Sequence, residues 1–269
     1  MIPFRDDIPA ERTPLVTYAL IALNVSVLWA MSQMPDRQLE DFIYRHGFVP
    51  ARIAQISSGK PLEIQVENEI DDPNLGPRIV VRQLVLQPDP GQILFSLFAS
   101  MFMHGWLMHL VGNLWFLWLF GDNVEDRLGH FPFLLFYLLG GLAAALCHYL
   151  NGPTSQTPVV GASGAIAAVL GAYLVTWPHA RIKTLVIFVI ITVIDVPAVI
   201  FLGGWFILQL FSALRPQELG MEQSIAWWAH IGGFVAGAIL MLLMRGPDPR
   251  TRRDDFFDMP DDRRRLFEK

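Results

Sequence analysis

Charged residues are scarce in this sequence, and they are unevenly spread along it. Only 17% of its 269 residues are Asp, Glu, Lys or Arg, whereas globular proteins average about 25%. Five segments lack all four residue types: 13–35, 90–121, 128–180, 196–214 and 223–244. A helix needs about 20 apolar residues to cross the hydrocarbon core of a bilayer. The sequence therefore predicts a polytopic membrane protein rather than a soluble enzyme.

Several functional motifs are also absent. The single cysteine, Cys147, excludes an intrachain disulfide framework and a metal site built from cysteines alone. No HExxH motif supports a zinc protease, and no two predicted spans each contribute an aspartate. No G-x-S-x-G motif in a βαβ pattern indicates a hydrolase nucleophile elbow. Since no contiguous basic surface is evident, nucleic acid is not expected as a partner.

Six membrane spans fit the apolar segments, at about 15–31, 105–121, 131–150, 161–177, 196–211 and 224–244. The β-branched stretch TLVIFVIITVI before the fifth span predicts an extended segment at the interface, and the apolar stretch 93–103 is expected in the outer leaflet. Eight basic residues follow the last span, so both termini are predicted to be cytoplasmic. We expect an N-terminal tail (1–13), a six-span domain (14–244) with a long outer loop (35–104), and a C-terminal tail (245–269).

Four polar residues stand within these apolar segments. Ser163 lies in GASGA at the start of the fourth span, and His230 lies in WWAHIGG in the last. His109 and Asn113, in HGWLMHLVGN, are four residues apart and so share one face of the second span. Because spans two, four and six all run from outside to inside, all four residues are predicted to lie at a similar depth near the outer side.

This combination suits serine hydrolase chemistry. A serine hydroxyl needs a base to become a nucleophile at neutral pH, and histidine is the usual base. Asn and His side chains, together with the N–H groups of a helix start, can stabilise an oxyanion. Each residue alone also has a structural interpretation, because serine among glycines allows close helix packing and histidine can hydrogen-bond between helices. The glycines of HIGGFVAG are predicted to be packing residues.

On these motifs, the chain resembles the rhomboid family of intramembrane serine proteases. HGWLMHLVGN, GASGA and AHIGGFVAG carry the resemblance, with support from GDNVEDRLG and FVPARI, and it extends from the first span to the last. It implies an all-α bundle of six transmembrane helices, of the bacterial type and in a bacterial inner membrane. It further implies a catalytic dyad of Ser163 and His230, oxyanion donors His109 and Asn113, and no metal or other cofactor. The implied partners are transmembrane protein substrates in the lipid bilayer.

Two features qualify the expected site. Some bacterial rhomboids carry a tyrosine four residues after the nucleophile, but this position is Ala167, so other neighbours must orient His230. Trp205 and Phe206 of the fifth span are predicted to pack against the second span as a lateral gate for substrates. Their alternative interpretation is as ordinary core or lipid-facing aromatics.

Two other functions compete with the protease. The first alternative is a catalytically inactive rhomboid-like protein that binds or escorts membrane clients, although inactive relatives usually lose the serine or the histidine. The second is a transporter, which is disfavoured because no inverted repeat is visible.

Overall fold

The computed structural model describes residues 2–72, 76–187, 191–215 and 225–244, where the fold is mostly helical. The predicted C-terminal tail, 245–269, lies outside the described residues. The α-helices of the described chain are α1 (Leu15–Ser32), α2 (Asp36–His46), α3 (Ile53–Ser58), α4 (Pro90–Ala99), α5 (Leu107–Leu128), α6 (His130–Asn151), α7 (Ser163–Thr176), α8 (Ala198–Leu214) and α9 (Trp227–Met244). Single 3₁₀ turns at Pro50–Arg52 and Ser100–Phe102 precede α3 and follow α4.

The chain also forms two small sheets, so the prediction of an all-α fold is wrong in this respect. The strands are β1 (Ile2–Arg5), β2 (Leu62–Asp72), β3 (Gly76–Leu86), β4 (Arg181–Ile187) and β5 (Ile191–Pro197). Strands β2 and β3 form an antiparallel hairpin in the outer loop, and β1, β4 and β5 form an antiparallel sheet in that order. The β-branched stretch before the fifth span is thus extended as predicted, apart from residues 188–190, which lie outside the described chain.

Each of the six predicted spans coincides with a helix, but the six-span count is not confirmed. Within the described residues, α1, α6 and α9 are long and apolar enough to cross a membrane. The segment Pro90–Phe102 and α5 meet this test only as a pair bent by 79°, which raises the count to four. The remaining two, α7 and α8, are shorter apolar helices of 14 and 17 residues.

Helix α7 lies at the centre of the bundle. Its residues from Gly164 to Tyr173 are all buried, and it packs against α5, α6, α8 and α9. Glycines allow α9 to pack closely against α7. A Cβ added to Gly237 of α9 would lie 2.0 Å from the carbonyl oxygen of Ala168 in α7, a distance too short for a larger residue. A Cβ on Gly171 would likewise lie 2.0 Å from the carbonyl oxygen of Phe234. These contacts agree with the predicted packing role of the glycines in HIGGFVAG.

Helix α5 runs beyond the predicted end of the second span and carries charged residues in its last turns. Buried Glu125 accepts hydrogen bonds from the backbone N–H groups of Val16 and Thr17, at 2.8 and 2.7 Å, and from the Thr17 hydroxyl at 2.7 Å. Pro14 stands at the N-cap of α1 and supplies no side-chain cap. The carboxylate of Glu125 therefore satisfies the unpaired donors at the start of α1.

The segment 35–104, predicted as the outer loop, is folded around a buried arginine. The guanidinium of Arg52 donates to the carbonyl oxygen of Arg45 at 3.1 Å and to the side-chain oxygens of Gln55 and Gln92 at 3.2 and 2.9 Å. Burial lowers the pKa of Arg52 from its ordinary value. These bonds connect α2, α3 and α4.

Candidate active site

Ser163 and His230 are brought into direct hydrogen-bonding contact. Ser163 is the first residue of α7, and His230 lies in the first turns of α9. The distance between Ser163 Oγ and His230 Nε2 is 2.7 Å. This short distance depends on the close packing of α7 and α9. Glycine is needed at position 233, because a Cβ there would lie 2.1 Å from the carbonyl oxygen of Gly164. A serine hydroxyl this close to an imidazole nitrogen has the geometry of a nucleophile and its general base.

Gln209 of α8 holds the other side of the His230 ring. Its side-chain oxygen lies 2.8 Å from His230 Nδ1, and the ring centroid of Trp205 lies 6.0 Å from that of His230. Because position 167 is alanine and not the expected tyrosine, the sequence did not show which residue orients His230. The structure shows that Gln209 contacts its ring. A signal was present, because Gln209 is the lone amide in the apolar run WFILQLF and polar groups in membrane helices are costly.

His109 and Asn113 lie beside Ser163, on the first turns of α5. A Cβ on Gly161 would lie 2.9 Å from the His109 ring and 3.7 Å from Ser163 Oγ. Gly161 has φ +131°, a conformation that favours glycine, so a larger residue there would displace His109. In the described part of the chain, His109 Nδ1 and Asn113 Nδ2 are buried without hydrogen-bond partners. His and Asn side chains on the wall of the cavity that holds a nucleophile can stabilise a developing oxyanion.

A cavity of about 330 Å³ contains these groups, a size typical of small-ligand and peptide-side-chain sites. Its polar lining includes Ser163, His230, His109 and Asn113. Most of the remaining wall is apolar or formed by small residues, for example Phe116 and Ala144. Across the described residues, no group of three or more His, Cys, Asp or Glu side chains is arranged to hold a metal ion.

Trp205 and Phe206 form their ring contacts with α9, although they were predicted to pack against the second span. The Trp205 ring centroid lies 5.9 Å from that of Phe234, and Phe206 stacks on Phe234 at 4.7 Å. Trp205 also lines the cavity, together with Phe116 of α5. The two aromatics therefore hold α8 against α9, and the predicted gate role stays a prediction.

Comparison with known proteins identifies a family. Residues 91–247, more than half of the chain, match the Rhomboid domain. The chain is 28% identical over 167 residues to Rhomboid protein 1, mitochondrial, of Saccharomyces cerevisiae, which covers 60% of this chain and 45% of the yeast protein. It is 28% identical over 157 residues to RHOMBOID-like protein 5 of Arabidopsis thaliana, covering 56% of this chain and 45% of that protein.

A third relative is Presenilin-associated rhomboid-like protein A, mitochondrial, of Danio rerio, with 30% identity over 107 residues, or 39% of this chain and 28% of that protein. The chain thus spans less than half the length of each of these three relatives. The mitochondrial names do not support the predicted bacterial inner membrane. The Rhomboid-domain match and the apolar helices together show that the chain is an integral membrane protein of the rhomboid family.

Proposed function

We propose that this protein is an intramembrane serine endopeptidase that cleaves transmembrane segments of other membrane proteins. The observation that carries the proposal is the 2.7 Å contact between Ser163 Oγ and His230 Nε2. The cavity that these two residues line is also lined by His109 and Asn113. Membership of the rhomboid family supports the same reaction.

The reaction follows from the positions of these groups. Ser163 Oγ attacks the carbonyl carbon of the scissile peptide bond while its proton passes to His230 Nε2. The carbonyl oxygen becomes an oxyanion, which accepts hydrogen bonds from His109, Asn113 and the backbone N–H of Ser163 at the start of α7. His230 then gives its proton to the departing amine, and an acyl-enzyme remains. Water, deprotonated by His230, hydrolyses the ester and restores the serine.

The proposed topology places all six apolar helices across the bilayer, with both termini on the same, cytoplasmic side. In this arrangement 1–13 and 245–269 are tails, 14–244 is the protease domain, and the folded segment 35–104 lies outside. The starts of α5, α7 and α9 then share one depth near the outer side. Substrates enter this site laterally, and Trp205 and Phe206 are the proposed gate residues.

The test is labelling of the detergent-solubilised protein with a fluorophosphonate probe, combined with cleavage of a model transmembrane substrate. Ser163→Ala and His230→Ala are expected to abolish cleavage, and Ser163→Ala also removes the labelling site. The matched control is Ser26→Ala, because Ser26 is an exposed serine on α1 whose hydroxyl donates to the carbonyl oxygen of Ala22 in the same helix. Labelling and cleavage that persist in Ser163→Ala would refute the proposal. A folded wild-type protein that neither labels nor cleaves would instead favour an inactive, client-binding rhomboid-like protein.

A further inference from the structure

Three hydrogen bonds form a chain that leads away from Ser163 into α8. Ser163 Oγ lies 2.7 Å from His230 Nε2, and His230 Nδ1 lies 2.8 Å from Gln209 Oε1. The amide nitrogen of Gln209 lies 3.4 Å from the carbonyl oxygen of Trp205, one turn earlier in the same helix. The chain therefore connects the N-terminus of α7, the start of α9 and the middle of α8.

For a neutral His230 ring, one assignment of the hydrogen atoms satisfies all three contacts. The carbonyl oxygen of Trp205 can only accept, so the NH₂ group of Gln209 must face it and donate. The remaining amide oxygen of Gln209 can only accept, so His230 Nδ1 must carry a proton. In the neutral ring, His230 Nε2 is then without a proton and accepts one from the Ser163 hydroxyl. This is the tautomer that a general base for Ser163 needs.

We infer that Gln209 is a positioning residue that fixes the tautomer and ring orientation of His230, and that α8 must stay against α9 for Ser163 to be activated. The inference rests on the proposed function for its consequence in catalysis. The rings of Trp205 and Trp227 lie 6.0 and 6.1 Å from the His230 ring, and Gln209 provides the polar contact to Nδ1. Gln209 is only 7% exposed, so its side-chain amide is largely shielded from bulk water.

The position of α8 then affects substrate entry and the activation of Ser163 in opposite ways. Trp205 lines the cavity and Gln209 holds His230, so an outward movement of α8 widens the cavity and stretches the bond to His230 Nδ1. A shift of about 1 Å takes this 2.8 Å contact beyond hydrogen-bonding distance. Bond cleavage therefore follows the return of α8 to α9, after the substrate has entered.

Three variants of α8 test the inference in the full-length protein. Gln209→Met keeps the length of the side chain but has no amide, so it leaves His230 Nδ1 without an acceptor. Gln209→Glu retains an oxygen at this position in either protonation state. Leu208→Met is the matched control, because Leu208 is the adjacent residue and is 64% exposed on the outside of the bundle.

The first measurement separates kcat from KM for a model transmembrane substrate. Gln209→Met is expected to lower kcat about 10-fold to 100-fold, the effect of one lost hydrogen bond in a buried site, with KM changed by less than about twofold. Gln209→Glu is expected to recover most of kcat, and Leu208→Met to match the wild type. A Gln209→Met protein with wild-type kcat would overturn the inference.

The second measurement does not depend on proteolysis. Nitrogen-15 NMR of ring-labelled histidines at pH 8, with His230→Ala to assign the signal, is expected to show His230 protonated at Nδ1 in the wild type. In Gln209→Met this signature is expected to weaken in favour of the Nε2–H form. A wild-type His230 protonated at Nε2 would overturn the inference even if Gln209→Met failed to fold. A wild-type protein with the Nδ1–H signature but no cleavage would refute the protease proposal and leave the role of Gln209 in orienting His230 intact.

Discussion

Helices α7 and α9 lie close together where Gly233 of α9 packs against the backbone of Gly164, the residue after Ser163 in α7. A Cβ added to Gly233 would lie 2.1 Å from the carbonyl oxygen of Gly164 and 3.3 Å from Ala167 Cβ. Cβ atoms in proteins essentially never approach other heavy atoms closer than 3.0 Å. We therefore predict that Gly233→Ala separates the two helices by about 1 Å at this point.

The consequence reaches the proposed dyad because Gly233 lies one turn after His230. A separation of about 1 Å lengthens the 2.7 Å contact between Ser163 Oγ and His230 Nε2 beyond hydrogen-bonding distance. Misplacement of this size can cost about 10²-fold in rate. Insertion of a methyl group into a packed core costs about 1–3 kcal/mol. Gly233→Ala is thus expected to lose activity and to remain folded with a lower Tm.

The rate of fluorophosphonate labelling is the direct assay, because it reports Ser163 nucleophilicity without substrate entry. Thermal unfolding in detergent measures the stability change beside it. Gly203→Ala is the matched control, since a Cβ on Gly203 of α8 meets nothing within 4 Å and alanine favours a helix by about 1 kcal/mol. A folded Gly233→Ala protein that labels at the wild-type rate would show that α7–α9 spacing does not govern the Ser163–His230 contact.

Three further predictions concern other contacts of the bundle. Asn113→Ala is expected to slow cleavage by about 10²–10³-fold while Tm stays within a few degrees; equal losses of activity and of fold would make Asn113 structural. Glu125→Ala is expected to lower stability by about 1–3 kcal/mol, because buried N–H groups at the start of α1 lose their acceptor; Glu125→Gln should lose less, as Tm measurements will check. Burial raises the pKa of Asp6, whose side chain accepts a hydrogen bond from Tyr173. The folded state therefore favours protonated Asp6, and the free energy of unfolding decreases as pH rises through the folded-state pKa. Asp6→Asn is therefore expected to have a higher Tm than wild type at pH 8, and the difference should shrink on acidification towards pH 4.

The sequence was informative wherever a polar residue interrupted an apolar helix. Ser163, His109, Asn113 and His230 were found by this rule, and the common direction of their spans predicted that they meet. The short length of α7 followed from the position of GASGA. These inferences needed only helix periodicity, the cost of polar groups in hydrocarbon and the order of the spans.

The features that sequence reasoning missed depend on contacts between distant segments. Strand β1 pairs with β4, with Ile2 opposite Leu185. No local sequence pattern predicts a strand of only four residues such as β1. The contact of Glu125 with the start of α1 joins two helices more than 100 residues apart in the sequence, so no local pattern indicates it. Gln209 is also a polar residue in an apolar helix, but an amide has no catalytic chemistry of its own, so the sequence does not assign it to the site.

The shortness of α7 connects the fold to the proposed chemistry. A helix of 14 residues extends about 21 Å, less than the about 30 Å of hydrocarbon that a full span crosses. Under the proposed six-span topology, one end of α7 must lie within the bilayer, and the N–H groups of a buried helix start need partners. Ser163 stands at that end and lines the cavity. Water or the carbonyl oxygen of a substrate in this cavity would satisfy those N–H groups, so the feature that makes α7 a poor membrane span also makes it suitable for an oxyanion site.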